Sequence, residues 1–210
     1  MKLYYFNAYG RAEPLRMLLN HAKVSYEDIR IDKPEWNRYK RELQLEFKQV
    51  PAIEIEGKLY TQANSILRLL GSKYGYYPKD PYESYQVDSL VDALKDLYGY
   101  YSQTAFEIDL YKQKLKLGIF ISEQLPRYFQ ILENRLMKNN SQLHIVGNQF
   151  TIADFALIGI IFTIVYNDAY DDSFMIRQIF ERYPLLRDYA YNIRNNVFKD
   201  YLNQRPISSQ

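Results

Sequence analysis

Hydrophobic and polar positions alternate in short bursts over the first third of the chain, then change to helical spacing. Lys2–Phe6 (KLYYF) reads as a strand and residues 13–23 as a helix, with Leu15, Leu18, Leu19 and Ala22 on one side. Residues 26–31 read as a second strand. Residues 52–56 and Lys58–Thr61 read as two more, joined across a Glu56-Gly57 turn, and residues 63–73 as a closing helix. This order, β-α-β and then β-β-α, implies a small mixed sheet with helices packed on it. A turn-rich stretch at 74–81, YGYYPKDP, ends the segment.

Beyond it the spacing is helical throughout. Val87, Leu90, Val91, Leu94, Leu97, Tyr98 and Tyr101 keep one face for four turns, and Ile121, Leu125, Tyr128, Phe129, Leu132 and Leu136 repeat it. FTIAD at 150–154 is a helix start, with Thr151 and Asp154 at capping-box spacing and Phe150 placed to staple onto Phe155. Helices around 173–182 and 185–197 complete a bundle. The expected division is residues 1–76 and residues 82–210.

Composition narrows the function. Of 210 residues, 47% are hydrophobic and 25% charged, the range of a globular protein. Net charge is +2, and basic residues lie beside acids, as in KRELQLE, which argues against a nucleic-acid partner. With no cysteine, disulfides, thiolate metal sites and a cysteine nucleophile are excluded, so thiol chemistry needs a thiol brought by a ligand. The apolar run at 155–166 is too short to span a bilayer, and no signal-peptide pattern precedes the first strand; a cytoplasmic protein with no membrane partner is expected. Asn139-Asn140-Ser141 matches a glycosylation acceptor that has no meaning without secretion. The 22 tyrosines have no functional account as a total.

Several residues could carry chemistry. Neighbouring residues of a strand face opposite ways, so only one of Tyr4 and Tyr5 can meet a given ligand. A phenol (pKa about 10) stays protonated at neutral pH and can donate a hydrogen bond to a thiolate (free pKa about 8.5), lowering the thiol pKa. Pro51 stands at a strand start and can be cis, which would free the Val50 backbone to pair with a peptide-like ligand; a plain turn proline is the simpler reading. Gln62-Ala63-Asn64-Ser65 opens a helix, whose N–H groups suit a carboxylate. Trp36, with Lys40 one turn on, could hold another carboxylate, or be an ordinary packed indole beside a solvated lysine. Asp88, Asp92 and Asp96 could form an acidic edge or a solvated helix face. His21 and His144 have no metal-ligand spacing.

Taken in order, YYFNAYGRAEPLR, the Trp36/Lys40 pair, FKQVPAIEIEG, QANSILRLL, VDSLVDALKDL and VGNQFTIADFAL resemble the cytosolic glutathione transferases. The nearest likeness is to the sigma class, which includes the haematopoietic-type glutathione-dependent prostaglandin D synthases. The resemblance runs to about Arg205-Pro206. It implies an α+β thioredoxin-like N-terminal domain, an all-α helical-bundle C-terminal domain, and a homodimer. By matching, Tyr5 would activate glutathione, the co-substrate, supported by Arg11. Trp36, Lys40 and Gln49 would hold the glycine carboxylate, and Val50, ahead of a cis Pro51, the cysteinyl unit. Gln62 and Ala63 would hold the γ-glutamyl end, with Asp96 reaching it from the partner subunit. Phe6, Arg11, Tyr98 and Tyr101, with the C-terminal helix, would line the pocket for a hydrophobic electrophile.

Three departures stand out. Ala63 replaces the family's serine, a lost hydroxyl worth about 0.5–1.5 kcal/mol, roughly three- to tenfold in affinity. Ser65, two positions on, would point elsewhere on a helix. The segment from Lys40 to Pro51 is two residues longer than in the vertebrate enzymes. Lys95 replaces an acid that helps bind a divalent cation in some sigma enzymes, so no metal site is expected. The expected function is conjugation of glutathione to small hydrophobic electrophiles in detoxification. The rivals are a glutathione-dependent isomerase or peroxidase of lipid substrates, and a non-catalytic protein on the same fold.

Overall fold

The computed structural model describes residues 1–139 and 143–208; Asn140 and Ser141 of the glycosylation-type triplet lie outside them. Strand β1 (Lys2–Phe6) leads through a 3-10 turn at Gly10–Ala12 into helix α1 (Glu13–His21), which returns to β2 (Glu27–Ile31) parallel to β1. A short helix, α2 (Trp36–Glu42), precedes β3 (Ala52–Ile55), which runs antiparallel to β1, and β4 (Lys58–Thr61) pairs antiparallel with β3. The sheet order is β2-β1-β3-β4. Glu56 and Gly57 both adopt positive φ, as a two-residue hairpin turn with primed geometry requires. Helix α3 (Ala63–Tyr74) ends at Gly75 in the left-handed region.

The remaining described elements are helical. They are α4 (Pro81–Ala105), α5 (Leu110–Ile119), α6 (Leu125–Lys138), α7 (Ile152–Ile160), α8 (Ser173–Phe180), α9 (Pro184–Asn192) and α10 (Lys199–Gln204). Hydrophobic periodicity does not announce α5. Asp109 starts it by accepting the N–H groups of Tyr111 and Lys112, while Leu110, Tyr111 and Leu115 face solvent, so no buried stripe marks it. Three π turns, Phe120–Gln124, Ile161–Val165 and Ile193–Val197, extend or join helices. No described helix is long and apolar enough to cross a membrane.

Helix α7 binds the two layers together. Every residue from Ile152 to Ile160 is buried, the pattern of a helix packed on all sides, and it lies against α1 and α4. Gly159 makes the approach possible, because a Cβ there would stand 2.6 Å from the Pro14 ring of α1. The capping box at its start is complete. Asp154 accepts from the Thr151 N–H (2.8 Å), the Ile145 N–H (2.9 Å) and the Tyr189 hydroxyl (2.9 Å), so the buried carboxylate is well partnered. Phe150 stacks on Phe155 at 5.7 Å.

Candidate functional site

The two adjacent tyrosines of β1 have opposite environments. Tyr4 belongs to a small cluster with Ile31, Leu45 and Ala52, and its hydroxyl donates to Glu54 Oε2 at 2.8 Å. Burial and that carboxylate push its pKa up to about 12. Tyr5 points to the other face and joins the main core, 8% exposed, with its hydroxyl accepting the Arg11 N–H at 3.1 Å. Burial raises its pKa, while the Arg11 N–H, the charges of Arg11 and Arg16, and a hydrogen bond from Tyr98 pull the other way. The phenol therefore keeps its proton at neutral pH, so it can donate a hydrogen bond but cannot act as a phenolate base.

The turn after β1 sets this geometry. Gly10, at φ +45°, passes so close to Tyr5 that a Cβ there would lie 2.5 Å from the phenol oxygen. With the backbone this near, the next N–H, that of Arg11, reaches the hydroxyl.

Two cavities meet at Tyr98 and Gly10. One, of about 460 Å³, is lined by Tyr5, Phe6, Asn7, Lys33, Tyr98, Phe106 and Ser208, among others. The other, of about 200 Å³, lies between α1, α3, α4 and α7 and is lined by Arg11, Gln62, Ala63, Asn64, Ser65, Arg68, Asp92 and Lys95, among others. Helix α3 opens onto it without a side-chain cap, unlike α4, α5 and α7, which are capped by Asp80, Asp109 and Thr151. Its first N–H groups and dipole are left for an anion. Gln62, at φ 72° and ψ 107°, holds a conformation rare for a residue with a side chain and turns the chain into that helix. Ser65 lines the cavity along with Ala63, because the first turn meets it end-on and residues two apart both reach it.

The other expected residues divide. Trp36 is half-buried and stands edge-on to Phe6 at 5.3 Å, which links it to the Tyr5 cavity; Lys40 and Gln49 are exposed and line neither cavity. The Val50-Pro51 bond is cis, and β3 starts directly after it. Tyr98 lines both cavities, with the Arg11 guanidinium 5.6 Å from its ring centre. Tyr101 is placed differently from expectation: 1% exposed, it packs on Tyr98, Phe120 and Tyr170 and lines neither cavity. Asp96 is exposed and also outside the cavity walls. Nor do the acids of α4 form an open edge, since Arg68 binds Asp88 (2.7 Å) and Asp92 (3.0 Å). Among the described residues, no group of three or more His, Asp or Glu side chains could hold a metal ion. His21 pairs with the Tyr76 hydroxyl at 2.8 Å, away from both cavities.

Sequence reasoning did not single out Gly10, Arg68, Phe106 or Ser208 as parts of this site. Phe106 follows α4 and Ser208 ends the described chain, so only tertiary packing brings them to Tyr5. A model of the glutathione S-transferase N-terminal domain matches residues 1–72, and one of the C-terminal domain matches residues 95–205. The chain belongs to the glutathione S-transferase family. This glutathione S-transferase is 31% identical to glutathione S-transferase A4 of Mus musculus, over 92% of this chain and 83% of that one. Among solved structures it resembles a prostaglandin synthase D of Nilaparvata lugens, at 25% identity, TM-score 0.85, and 99% and 98% coverage of the two chains. It also resembles Na-GST-3 of Necator americanus, described as monomeric, at 30% identity, TM-score 0.83, and 100% and 98% coverage. It has the family fold, and like its curated relatives it is an enzyme of the glutathione S-transferase type.

Proposed function

We propose that Tyr5 donates its hydroxyl proton in a hydrogen bond to the thiolate of bound glutathione, which attacks a small hydrophobic electrophile in the cavity beside Phe6 and Tyr98. The observation that carries this reading is the buried Tyr5 hydroxyl, held by the Arg11 N–H at 3.1 Å in the wall of one cavity, beside the Gly10 that both cavities share. In conjugation the sulfur forms a bond to the electrophilic carbon, and the leaving group departs with the electron pair. Tyr5 and Arg11 keep the sulfur anionic until then, and exclusion of water once the substrates fill the pocket would strengthen the hydrogen bond. A hydrogen bond to a charged group contributes about 1.5–3 kcal/mol.

Glutathione would lie across both cavities. Its γ-glutamyl carboxylate would meet the uncapped start of α3 at Gln62 and Ala63, its cysteinyl backbone would pair with Val50 ahead of Pro51, and its glycine carboxylate would reach Trp36, Lys40 and Gln49. The sigma-class reading rests on the motif order and on the likeness to a prostaglandin synthase D. That likeness supports a lipid endoperoxide as an alternative substrate. A cytoplasmic homodimer, divided near residues 76–82, completes the reading. Asp96 shares one face of α4 with Tyr85 and Asp92, by helical spacing, and would act on the γ-glutamyl end of the partner's glutathione.

Turnover of an aryl halide with glutathione tests the activity. The wild type should conjugate it, and Tyr5→Phe should retain binding to immobilised glutathione but lose about 10- to 100-fold in kcat/KM. Binding without turnover in the wild type would contradict the transferase reading. Sedimentation tests the dimer: a single-subunit mass removes any role for Asp96 across an interface.

A further inference from the structure

A network of buried charges connects the C-terminal end of the described chain to the turn that carries Gly10 and Arg11. Arg16, 1% exposed, donates to the carbonyl oxygens of Ala8 (2.8 Å) and Tyr9 (3.2 Å), and is itself held by Glu13 (3.3 Å) and Asp28 (3.1 Å). Glu13 is fully buried. Its other oxygen accepts from the Tyr201 hydroxyl (2.9 Å) and from Arg205 (2.7 Å), residues some 190 positions later. The Arg205 guanidinium carbon also sits over the Tyr9 ring, 3.8 Å from its centre, and Arg205 donates to the Phe162 carbonyl at 2.7 Å. That carbonyl sits in the π turn at Ile161–Val165, where the Tyr166 N–H reaches back to Ile161 instead of Phe162. The Tyr9 hydroxyl accepts the Ser208 N–H at 3.2 Å.

The turn is thus gripped from both sides. Arg16 holds its carbonyls from α1, and Arg205 and Ser208 clamp the Tyr9 ring from the C-terminal segment. The residues that follow Tyr9 present the Arg11 N–H to Tyr5. Arg16 also stands 5.9 Å from the Tyr5 ring centre and acts on the phenol directly, whereas Arg205 meets Glu13, the Tyr9 ring and the Phe162 carbonyl, so its effect on chemistry passes through the turn.

We propose that Arg205 is a positioning residue: through Tyr9 and the Glu13–Arg16 pair it fixes the turn that aims the Arg11 N–H at Tyr5. The claim rests on the assignment of Tyr5 above, and two readouts separate the two. The first is the ultraviolet titration of enzyme-bound glutathione thiolate, and the second is amide hydrogen exchange at Arg11 without ligand. Full-length wild type, Arg205→Ala, Arg205→Lys, Tyr9→Phe and the surface control Arg187→Ala are compared, with thermal melts to confirm folding.

In Arg205→Ala the thiolate pKa should rise by about half to one unit, a three- to tenfold loss of thiolate at low pH, while KM for glutathione stays within about twofold. Arg11 exchange should accelerate about tenfold or more. Arg205→Lys and Tyr9→Phe should fall between it and wild type, and they carry the comparison if Arg205→Ala does not fold. A lower melting temperature with unchanged titration and unchanged Arg11 exchange would overturn the proposal. If wild type itself shows no thiolate, the Tyr5 assignment fails, and the exchange data alone decide: faster exchange in the variants supports positioning by Arg205, and unchanged exchange overturns it.

Discussion

Tyr4 and Tyr5 are the same residue type on the same strand, yet the sheet sends them to opposite faces with opposite consequences. On the outer face, Tyr4 donates to the Glu54 carboxylate at 2.8 Å and closes a small apolar cluster. On the inner face, Tyr5 accepts from a backbone N–H at 3.1 Å and borders an open cavity. The Tyr4 proton is committed to a carboxylate, whereas the Tyr5 hydroxyl accepts its bond and, in the proposed reading, keeps its own proton for the ligand. On that reading, what separates a structural phenol from a chemical one is the direction of its hydrogen bond, set by strand alternation and by the Gly10 turn.

The sharpest way to break the contrast is to move Tyr5 without touching it. Gly10→Ala puts a Cβ 2.5 Å from the phenol oxygen at φ +45°. Conjugation activity should fall about as far as in Tyr5→Phe, 10- to 100-fold, and the left-handed backbone should cost about 1–2 kcal/mol in a urea melt. Full activity in Gly10→Ala would show that the turn does not set the geometry.

Tyr4→Phe should do the reverse. Loss of the bond to Glu54 should lower stability by about 1–2 kcal/mol, with kcat/KM within about twofold of wild type. The Tyr4 pKa in the folded protein lies near 12, above the ordinary 10. Its protonated form therefore stabilises the fold fully below pH 10, and the contribution fades as pH rises from 10 through about 12. The deficit of Tyr4→Phe in denaturant melts should be constant below pH 10 and shrink above it.

The smallest effect concerns the far cavity. Ala63→Ser should tighten glutathione by about three- to tenfold if position 63 needs a hydroxyl. A gain below twofold, read by calorimetry, would mean that Ser65, on the same cavity wall, already supplies it.

The outline of the fold was legible because burial is periodic in most elements. The strand at Lys2–Phe6, the Glu56-Gly57 hairpin and the Thr151/Asp154 box are each written in a few adjacent residues. Helix α5 was not legible, since most of its apolar side chains face solvent. The candidate site was legible where local rules operate, as at the facing of Tyr5 and the start of α3, whereas the cis Pro51 was expected only from the family resemblance. The site was not legible where distant elements meet. Burial of Tyr101 behind Tyr98, capture of Asp88 and Asp92 by Arg68, and the reach of Ser208 to the Tyr5 cavity all depend on packing between elements far apart in the chain.

The central claim, that Tyr5 and not Tyr4 stabilises the thiolate, is tested most directly by the ultraviolet absorbance of bound glutathione against pH in wild type, Tyr5→Phe and Tyr4→Phe. The account predicts a thiolate forming well below the free thiol pKa of about 8.5 in wild type and Tyr4→Phe, but not in Tyr5→Phe. Equal titration of wild type and Tyr5→Phe would contradict it.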